Sequence, residues 1–249
     1  MGRVDVLGVG ISPVTMQTTL DILESWINGR SKRYVCVTGV HGVMESQTDE
    51  GLRRIHNESG LTTPDGVPMV WACHWAGRKE TQRVYGPDLM LEVCARGAQE
   101  GWRMFFCGGK PGTAERLSQR LATRFPGLAV AGSYSPPFGP QDEAAEAEML
   151  AMIDAAHPDI VWIGLSTPKQ EHWMATYRSR LEAPVLIGVG AAFDIHAGEL
   201  RQAPSWLQER GLEWLYRLIR EPRRLWRRYL RNNPRFVVDV LRRPPTLRT

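Results

Sequence analysis

The strongest constraint on the fold is a change of period that repeats along the chain. Short apolar runs at residues 4–7, 34–38, 102–107, 128–131, 159–165 and 184–189 alternate with longer amphipathic stretches at 14–28, 44–57, 87–99, 113–124, 141–156 and 169–181. Runs without polar alternation are the mark of strands covered on both faces of a parallel sheet, and the stretches between them carry helical spacing. The alternation predicts an α/β fold: an open, mostly parallel sheet with helices on both faces. The chain has 249 residues, 43% of them hydrophobic, enough to bury a large core, which excludes disorder over its full length.

In such a sheet ligands gather where the strands end, so the loops after the strands hold the first candidates. They are Gly8-Val9-Gly10, residues 38–42, Gly108-Gly109-Lys110-Pro111-Gly112, residues 164–170 and residues 188–193. Five glycine-bearing loops at one edge would form a rim on which backbone N–H groups approach a phosphate, with Gly109 among the contacts. The plainer reading of each loop is a strand-to-helix turn, which also favours glycine. No loop completes a P-loop, and Gly188-Val189-Gly190-Ala191-Ala192-Phe193 ends in Phe where a dinucleotide fingerprint needs a third glycine. Gly8-Val9-Gly10 also lacks that glycine, which weighs against a nucleotide-binding oxidoreductase.

Charge divides the chain unevenly. Residues 210–249 hold twelve arginines against three acids, +9, whereas the other 209 residues sum to −5. Residues 203–210 read as a short helix with Pro204 in its first turn, and Leu212, Leu215, Tyr216 and Ile219 continue at helical spacing until Pro222 interrupts. A second basic helix then places Leu225, Trp226, Tyr229 and Leu230 among Arg223, Arg224, Arg227, Arg228 and Arg231. The expected division is a core over residues 1–202 and a basic appendage over 203–249, with a disordered end from 242. Arginines interleaved with Trp, Tyr and Leu suit an anionic membrane surface. The alternatives are a stripe packed on the body, or an arm stacking on single-stranded nucleic acid. Cys36, Cys73, Cys94 and Cys107 form no CxxC pair or Cys/His cluster. No secretory signal or membrane span is visible, so a cytoplasmic protein lying on the inner face of the membrane is expected.

Three segments narrow the reading further. They are Thr62-Thr63-Pro64-Asp65-Gly66-Val67-Pro68 with Gln82-Arg83-Val84-Tyr85-Gly86-Pro87, then Gly164-Leu165-Ser166-Thr167-Pro168-Lys169-Gln170-Glu171, and a third from Gly188 through Phe193-Asp194 and Arg201-Gln202-Ala203-Pro204 to Glu213-Trp214-Leu215-Tyr216-Arg217 and Glu221-Pro222. In order and spacing they resemble the WecG/TagA/CpsF glycosyltransferases, glycosyltransferase family 26, over roughly residues 4–230. The resemblance implies a Rossmann-like core, an appendage that meets the membrane, and inverting transfer of a sugar from a UDP-sugar to a polyprenyl-diphosphate-linked acceptor. A hexose or N-acetylhexosamine moved during exopolysaccharide or cell-surface polysaccharide assembly is the preferred form. N-acetylmannosaminyl or N-acetylmannosaminuronyl transfer of teichoic-acid or common-antigen type is its alternative. Nucleic acid is not expected as a partner, and self-association through the appendage stays open.

Inverting transfer needs a base for the attacking hydroxyl and compensation for the departing diphosphate. By resemblance Asp65 is the base and Arg83 an active-site arginine, while Gln170 matches an active-site glutamine. On chemistry alone, Pro64-Asp65-Gly66 is also a strong turn. Thr38 matches a pocket residue, but the asparagine expected two positions later is Val40, so His41 is the residue that could supply a polar group. Lys169 reads as a donor contact or a helix start, and Asp194 as a residue ordering the nucleotide loop or a cap. No Asp-x-Asp occurs, so no metal or other cofactor is expected, and Arg217, Arg220 and Arg224 are the appendage cations assigned to the diphosphate.

Overall fold

The computed structural model describes residues 2–137, 139 and 142–248, and of Arg224 only the backbone. In chain order a hairpin of β1 (Val4–Val6) and β2 (Val9–Ile11) leads through α1 (Met16–Asn28) to β3 (Arg33–Thr38), α2 (Val40–Glu45), α3 (Glu50–Glu58), β4 (Leu61–Pro64) and α4 (Val67–Trp75). Then follow α5 (Gly86–Glu100), β5 (Arg103–Gly108), α6 (Thr113–Arg124), β6 (Ala129–Tyr134), α7 (Glu143–Ala155), β7 (Ile160–Gly164), α8 (Lys169–Tyr177), β8 (Val185–Gly188) and α9 (Ala192–His196). The chain closes with α10 (Ser205–Glu209), α11 (Glu213–Arg220), α12 (Pro222–Arg242) and β9 (Thr246–Leu247). Two compact units result: residues up to 16, 37–85 and 201 onward form one, and residues 17–36 with 86–200 form the other. The C-terminal segment is therefore not a unit of its own; it clusters with two earlier stretches of the chain.

The second unit carries the parallel strands, with Arg33 opposite Val185, Ile160 opposite Val185 and Met104 opposite Ile160. The full strand order is β4-β3-β8-β7-β5-β6, and β3 passes into the first unit at Val37. This is the expected α/β sheet. Strands β5, β7 and β8 are buried almost throughout, which explains their unbroken apolar sequence. β6 departs from that expectation because it is an edge strand, and it is only partly covered.

The first unit holds the main departures. Residues 4–7 belong to a separate antiparallel sheet of order β2-β1-β9. Leu7 and Gly8 both have positive φ, 54° and 87°, the backbone of a two-residue hairpin turn that returns the chain antiparallel. Gly8-Val9-Gly10 thus lies in a hairpin, away from the parallel-strand rim. The helix expected over 44–57 is two, because Asp49 caps α3 by accepting from the Leu52 amide at 2.8 Å. β4 and α4 went unforeseen: the first is four residues long, and the second is too uniformly apolar to show a helical stripe. Gln141, the first residue of another expected helix, lies outside the described residues.

The tail also differs from the expected disordered end. Beyond α12, β9 pairs with β1, and Arg248 donates to Asp5 Oδ2 at 2.8 Å, Asn57 Oδ1 at 2.9 Å and the Gly8 carbonyl at 2.7 Å. Phe236 and Val240 of α12 enter a core with Val4, Val6, Met69 and Cys73. Leu225 and Tyr229 are buried, whereas Trp226 and Leu230 remain exposed. One stripe of the helix therefore packs on its own unit while another faces solvent. All four cysteines are free and buried, and burial pushes Cys73 up to about 11 and Cys94 and Cys107 up to about 12.

Candidate active site

The expected site residues fall into two sets, one in each unit. In the first unit β4 ends at Pro64, and the Asp65 amide donates to the Thr38 carbonyl at 3.1 Å, tying the ends of β3 and β4 together. Asp65 then sits two residues before α4. Arg83 is held on every side: its Nε donates to the Asp65 carbonyl at 2.8 Å, Nη1 to Gln208 Oε1 at 3.3 Å and Nη2 to Glu213 Oε2 at 2.5 Å. Its guanidinium also lies 4.0 Å from the centre of the Tyr85 ring. Tyr85 donates its hydroxyl to the other oxygen of Glu213 at 2.5 Å, so one carboxylate orders both the arginine and the ring beneath it. Burial, followed by the charge of Glu213, raises the Tyr85 phenol far above its ordinary value and keeps it a donor.

Arg217 lies one turn along α11 from Glu213. Burial works against its charge, but Tyr229, Tyr85, Glu213 and Glu221 together outweigh it, and its Nε has no hydrogen-bond partner. Thr38 is buried with its hydroxyl equally unpartnered. The structure thus brings Thr38, Asp65, Arg83 and Arg217 into one neighbourhood. His41 is placed differently: it lies on α2 with Nδ1 3.4 Å from Asn232 Nδ2 of α12 and 3.4 Å from Glu45 Oε1. Arg220 is exposed and lies over Tyr216 at 5.7 Å. The side chain of Arg224 lies outside the described residues.

In the second unit the loop after β7 builds a smaller niche. Gln170 is only 2% exposed; its amide nitrogen donates to Glu171 Oε1 at 3.1 Å while its own oxygen has no partner. Glu171 is wholly buried, accepts from the Thr167 hydroxyl at 2.9 Å on Oε1, and leaves Oε2 without a partner. Burial raises the Glu171 carboxyl above its ordinary 4.5, against the hydrogen bonds from Gln170 and Thr167 that favour the charged form. Two glycines give Gln170 its room. A methyl group at Gly188 would stand 2.7 Å from Met174 Cε and 3.1 Å from the Gln170 carboxamide carbon, and one at Gly190 would stand 3.4 Å from Gln170 Oε1. Ser166 has φ +64°, a left-handed conformation that costs a non-glycine residue about 1 kcal/mol and recurs at ligand sites.

The other expected residues of this unit surround the niche less directly. Lys169 opens α8 without a side-chain cap before it. Gly109 donates its amide to the Gly164 carbonyl at 2.9 Å, which joins the ends of β5 and β7. Asp194 lies in the first turn of α9, where its carbonyl accepts from the amides of Glu199 and Leu200 at 2.8 and 3.0 Å. Among the described residues no three His, Cys, Asp or Glu side chains cluster to hold a metal ion. Sequence reasoning did not single out Glu171, Tyr85, Gln208 or Glu213 as site residues. Tyr85, Glu171 and Glu213 lie inside the segments that carry the resemblance, but pairing Arg83 with a residue 130 positions away leaves no periodic signal.

Each unit thus places buried polar side chains with unsatisfied atoms at or after the end of a parallel strand, where α/β folds carry their ligand sites. The chain belongs to the WecG/TagA/CpsF family of glycosyl transferases, whose model matches residues 4–249. Among its relatives is an N-acetylglucosaminyldiphosphoundecaprenol N-acetyl-beta-D-mannosaminyltransferase of Bacillus spizizenii, 34% identical over 80% of this chain and 74% of the relative. The protein of the same name from Bacillus subtilis is 31% identical over 78% of this chain and 73% of its own length. That of Staphylococcus aureus MRSA252 is 23% identical over 96% and 92%.

Proposed function

We propose that this glycosyltransferase moves N-acetylmannosamine from UDP-N-acetylmannosamine to N-acetylglucosamine carried on a polyprenyl diphosphate, with inversion, at the surface of the membrane. The names of the relatives support this choice of sugar and acceptor. They favour the alternative in the sequence reading over its preference for exopolysaccharide assembly, which has no support among these relatives.

The observation that carries the mechanism is the anchoring of Arg83 on Asp65, Gln208 and Glu213. An arginine fixed on the backbone of the residue whose carboxylate would act as base supports both parts of an inverting transfer. Asp65 takes the proton of the acceptor hydroxyl as that oxygen attacks the anomeric carbon. Arg83 and Arg217 offset the charge that develops on the diphosphate as the glycosidic bond breaks. No step in this account uses a metal ion. Donor recognition is assigned to the Gln170–Glu171 niche. Sugar hydroxyls both donate and accept, so they can satisfy the unpartnered carboxamide oxygen of Gln170 and Oε2 of Glu171.

The appendage supports the membrane part of the reading. Trp226, Leu230 and Ile219 are exposed beside a surplus of arginine, and Arg227 lies 5.3 Å from the Trp226 ring centre. Among the described residues no helix is long and apolar enough to cross a membrane. The deciding assay measures UDP release from UDP-N-acetylmannosamine, UDP-N-acetylglucosamine and UDP-glucose with a short lipid-diphosphate N-acetylglucosamine acceptor. Release that needs the acceptor and is strongest with the first donor is expected. Equal or stronger release with UDP-glucose would overturn the sugar assignment.

A further inference from the structure

The helix that follows Asp65 has two faces with opposite exposure. On one, Met69, Ala72 and Cys73 of α4 are buried in the core that Phe236 and Val240 of α12 complete. On the other, Trp71 and Trp75, one turn apart, are 62% and 53% exposed. Nothing in the mechanism above uses them. Indole rings presented side by side from a short helix are suited to the headgroup layer of a bilayer, where an apolar body and a polar N–H are both accommodated.

Other features of the same unit point to lipid as the occupant. Arg78 and Lys79 lie three and four residues beyond the end of α4, with Arg78 paired to Glu80 at 3.0 Å. The first turn of α4 rests against Gly211, where an added methyl group would be 3.3 Å from Val67 Cβ. Just before Gly211 stand Trp206, 53% exposed, and Arg210, whose guanidinium lies 5.8 Å from the Trp206 ring centre. From there to the C-terminus the chain carries its excess of nine positive charges. Exposed indoles beside a basic segment complement an anionic bilayer in both polarity and charge.

We infer that α4 is a second membrane-docking element, distinct from the appendage, and that its Trp71–Trp75 face holds the Asp65 loop at the lipid surface. Trp71 and Trp75 follow Asp65 by six and ten residues, on the helix that begins two residues after it. A base on the loop that leads into a membrane-docked helix is held near a sugar joined through a diphosphate to a membrane-embedded chain. The inference rests on the proposed membrane reading and adds to it a contact outside the C-terminal segment.

The test uses full-length protein and vesicles of phosphatidylglycerol and phosphatidylethanolamine, comparing wild type with Trp71→Ala/Trp75→Ala, Trp71→Phe/Trp75→Phe and Trp226→Ala/Leu230→Ala. The α4 alanine pair should weaken vesicle binding about tenfold or more, and the phenylalanine pair should restore most of it. Transfer to a long-chain acceptor in vesicles should fall with binding, while transfer to a short, water-soluble acceptor stays at the wild-type rate. An alanine pair that binds vesicles like wild type, while the Trp226/Leu230 pair does not, overturns this inference and leaves the appendage reading intact. A change in sedimenting mass without a change in vesicle binding assigns the face to self-association and also overturns it. Wild-type protein that fails to bind anionic vesicles removes both readings together.

Discussion

The two sets of site residues solve opposite problems. Around Arg83 the charged groups are already paired: the guanidinium is shared among a carbonyl, a carboxamide and a carboxylate, and the carboxylate also receives the Tyr85 hydroxyl, while Arg217 Nε and the Thr38 hydroxyl nearby are left without partners. Around Gln170 the geometry is equally tight, yet two buried oxygens, Gln170 Oε1 and Glu171 Oε2, have no partner in the protein. A satisfied cluster is rigid in advance and suits the reacting atoms, where misplacement by about 1 Å costs much of the rate. An unsatisfied niche carries a desolvation cost that a ligand hydroxyl can relieve, and so it suits recognition. The difference implies that substitutions in the first set should act on turnover and those in the second on donor affinity.

The largest expected effect is at Asp65. Replacing it with Asn should lower kcat about 10²–10⁴-fold in the UDP-release assay, with little change in the KM for donor. Next comes Arg83→Met, for which kcat should fall about 10²–10³-fold. The same change leaves Glu213 without its cation, and loss of one partner of a largely buried pair should cost about 3 kcal/mol, read as a lower thermal midpoint. Arg83→Lys should recover part of the stability and less of the rate, because a lysine cannot reach three acceptors in a planar fork.

Smaller effects are expected in the niche. Gln170→Ala should raise the donor KM about tenfold, near the value of one buried hydrogen bond, while kcat falls less. Glu171→Gln is a test by pH. The folded carboxyl has a raised pKa, so the stability it contributes is fully present below about 4.5 and is lost as pH rises through the folded value. A glutamine cannot ionise. The thermal midpoint of the variant relative to wild type should therefore climb as pH is raised from about 4 to about 8. A difference that stays flat across that range would mean that Glu171 is not held protonated by burial.

The two regions also differ in how far the amino-acid order reveals them. The niche is built from residues of the loop after β7 and from two glycines, one ending β8 and one just beyond it, so strand periodicity and loop position led directly to it. Glu171 escaped notice because a carboxylate in a first helical turn ordinarily faces solvent, and only the coordinates show it wholly buried. The Arg83 cluster joins residues 65, 83, 208 and 213, and no local pattern relates α11 to β4. The same limit hid the role of the C-terminus. Its charge was plain, but that Phe236 and Val240 complete a core with β1, and that Arg248 clamps Asp5, depends on contacts spanning nearly the whole chain. Short elements were lost for a different reason: β4 and α4 offer too few residues for a period to show.

The division of labour between the two sets can be tested most directly by equilibrium binding of UDP and of the UDP-sugar to Asp65→Asn and Gln170→Ala, each beside its rate of transfer to a soluble acceptor. The account predicts that Asp65→Asn binds UDP as wild type does while transfer is nearly abolished, and that Gln170→Ala binds the UDP-sugar about tenfold more weakly yet turns over once saturated. Loss of nucleotide binding in Asp65→Asn, or wild-type donor affinity in Gln170→Ala, would contradict it.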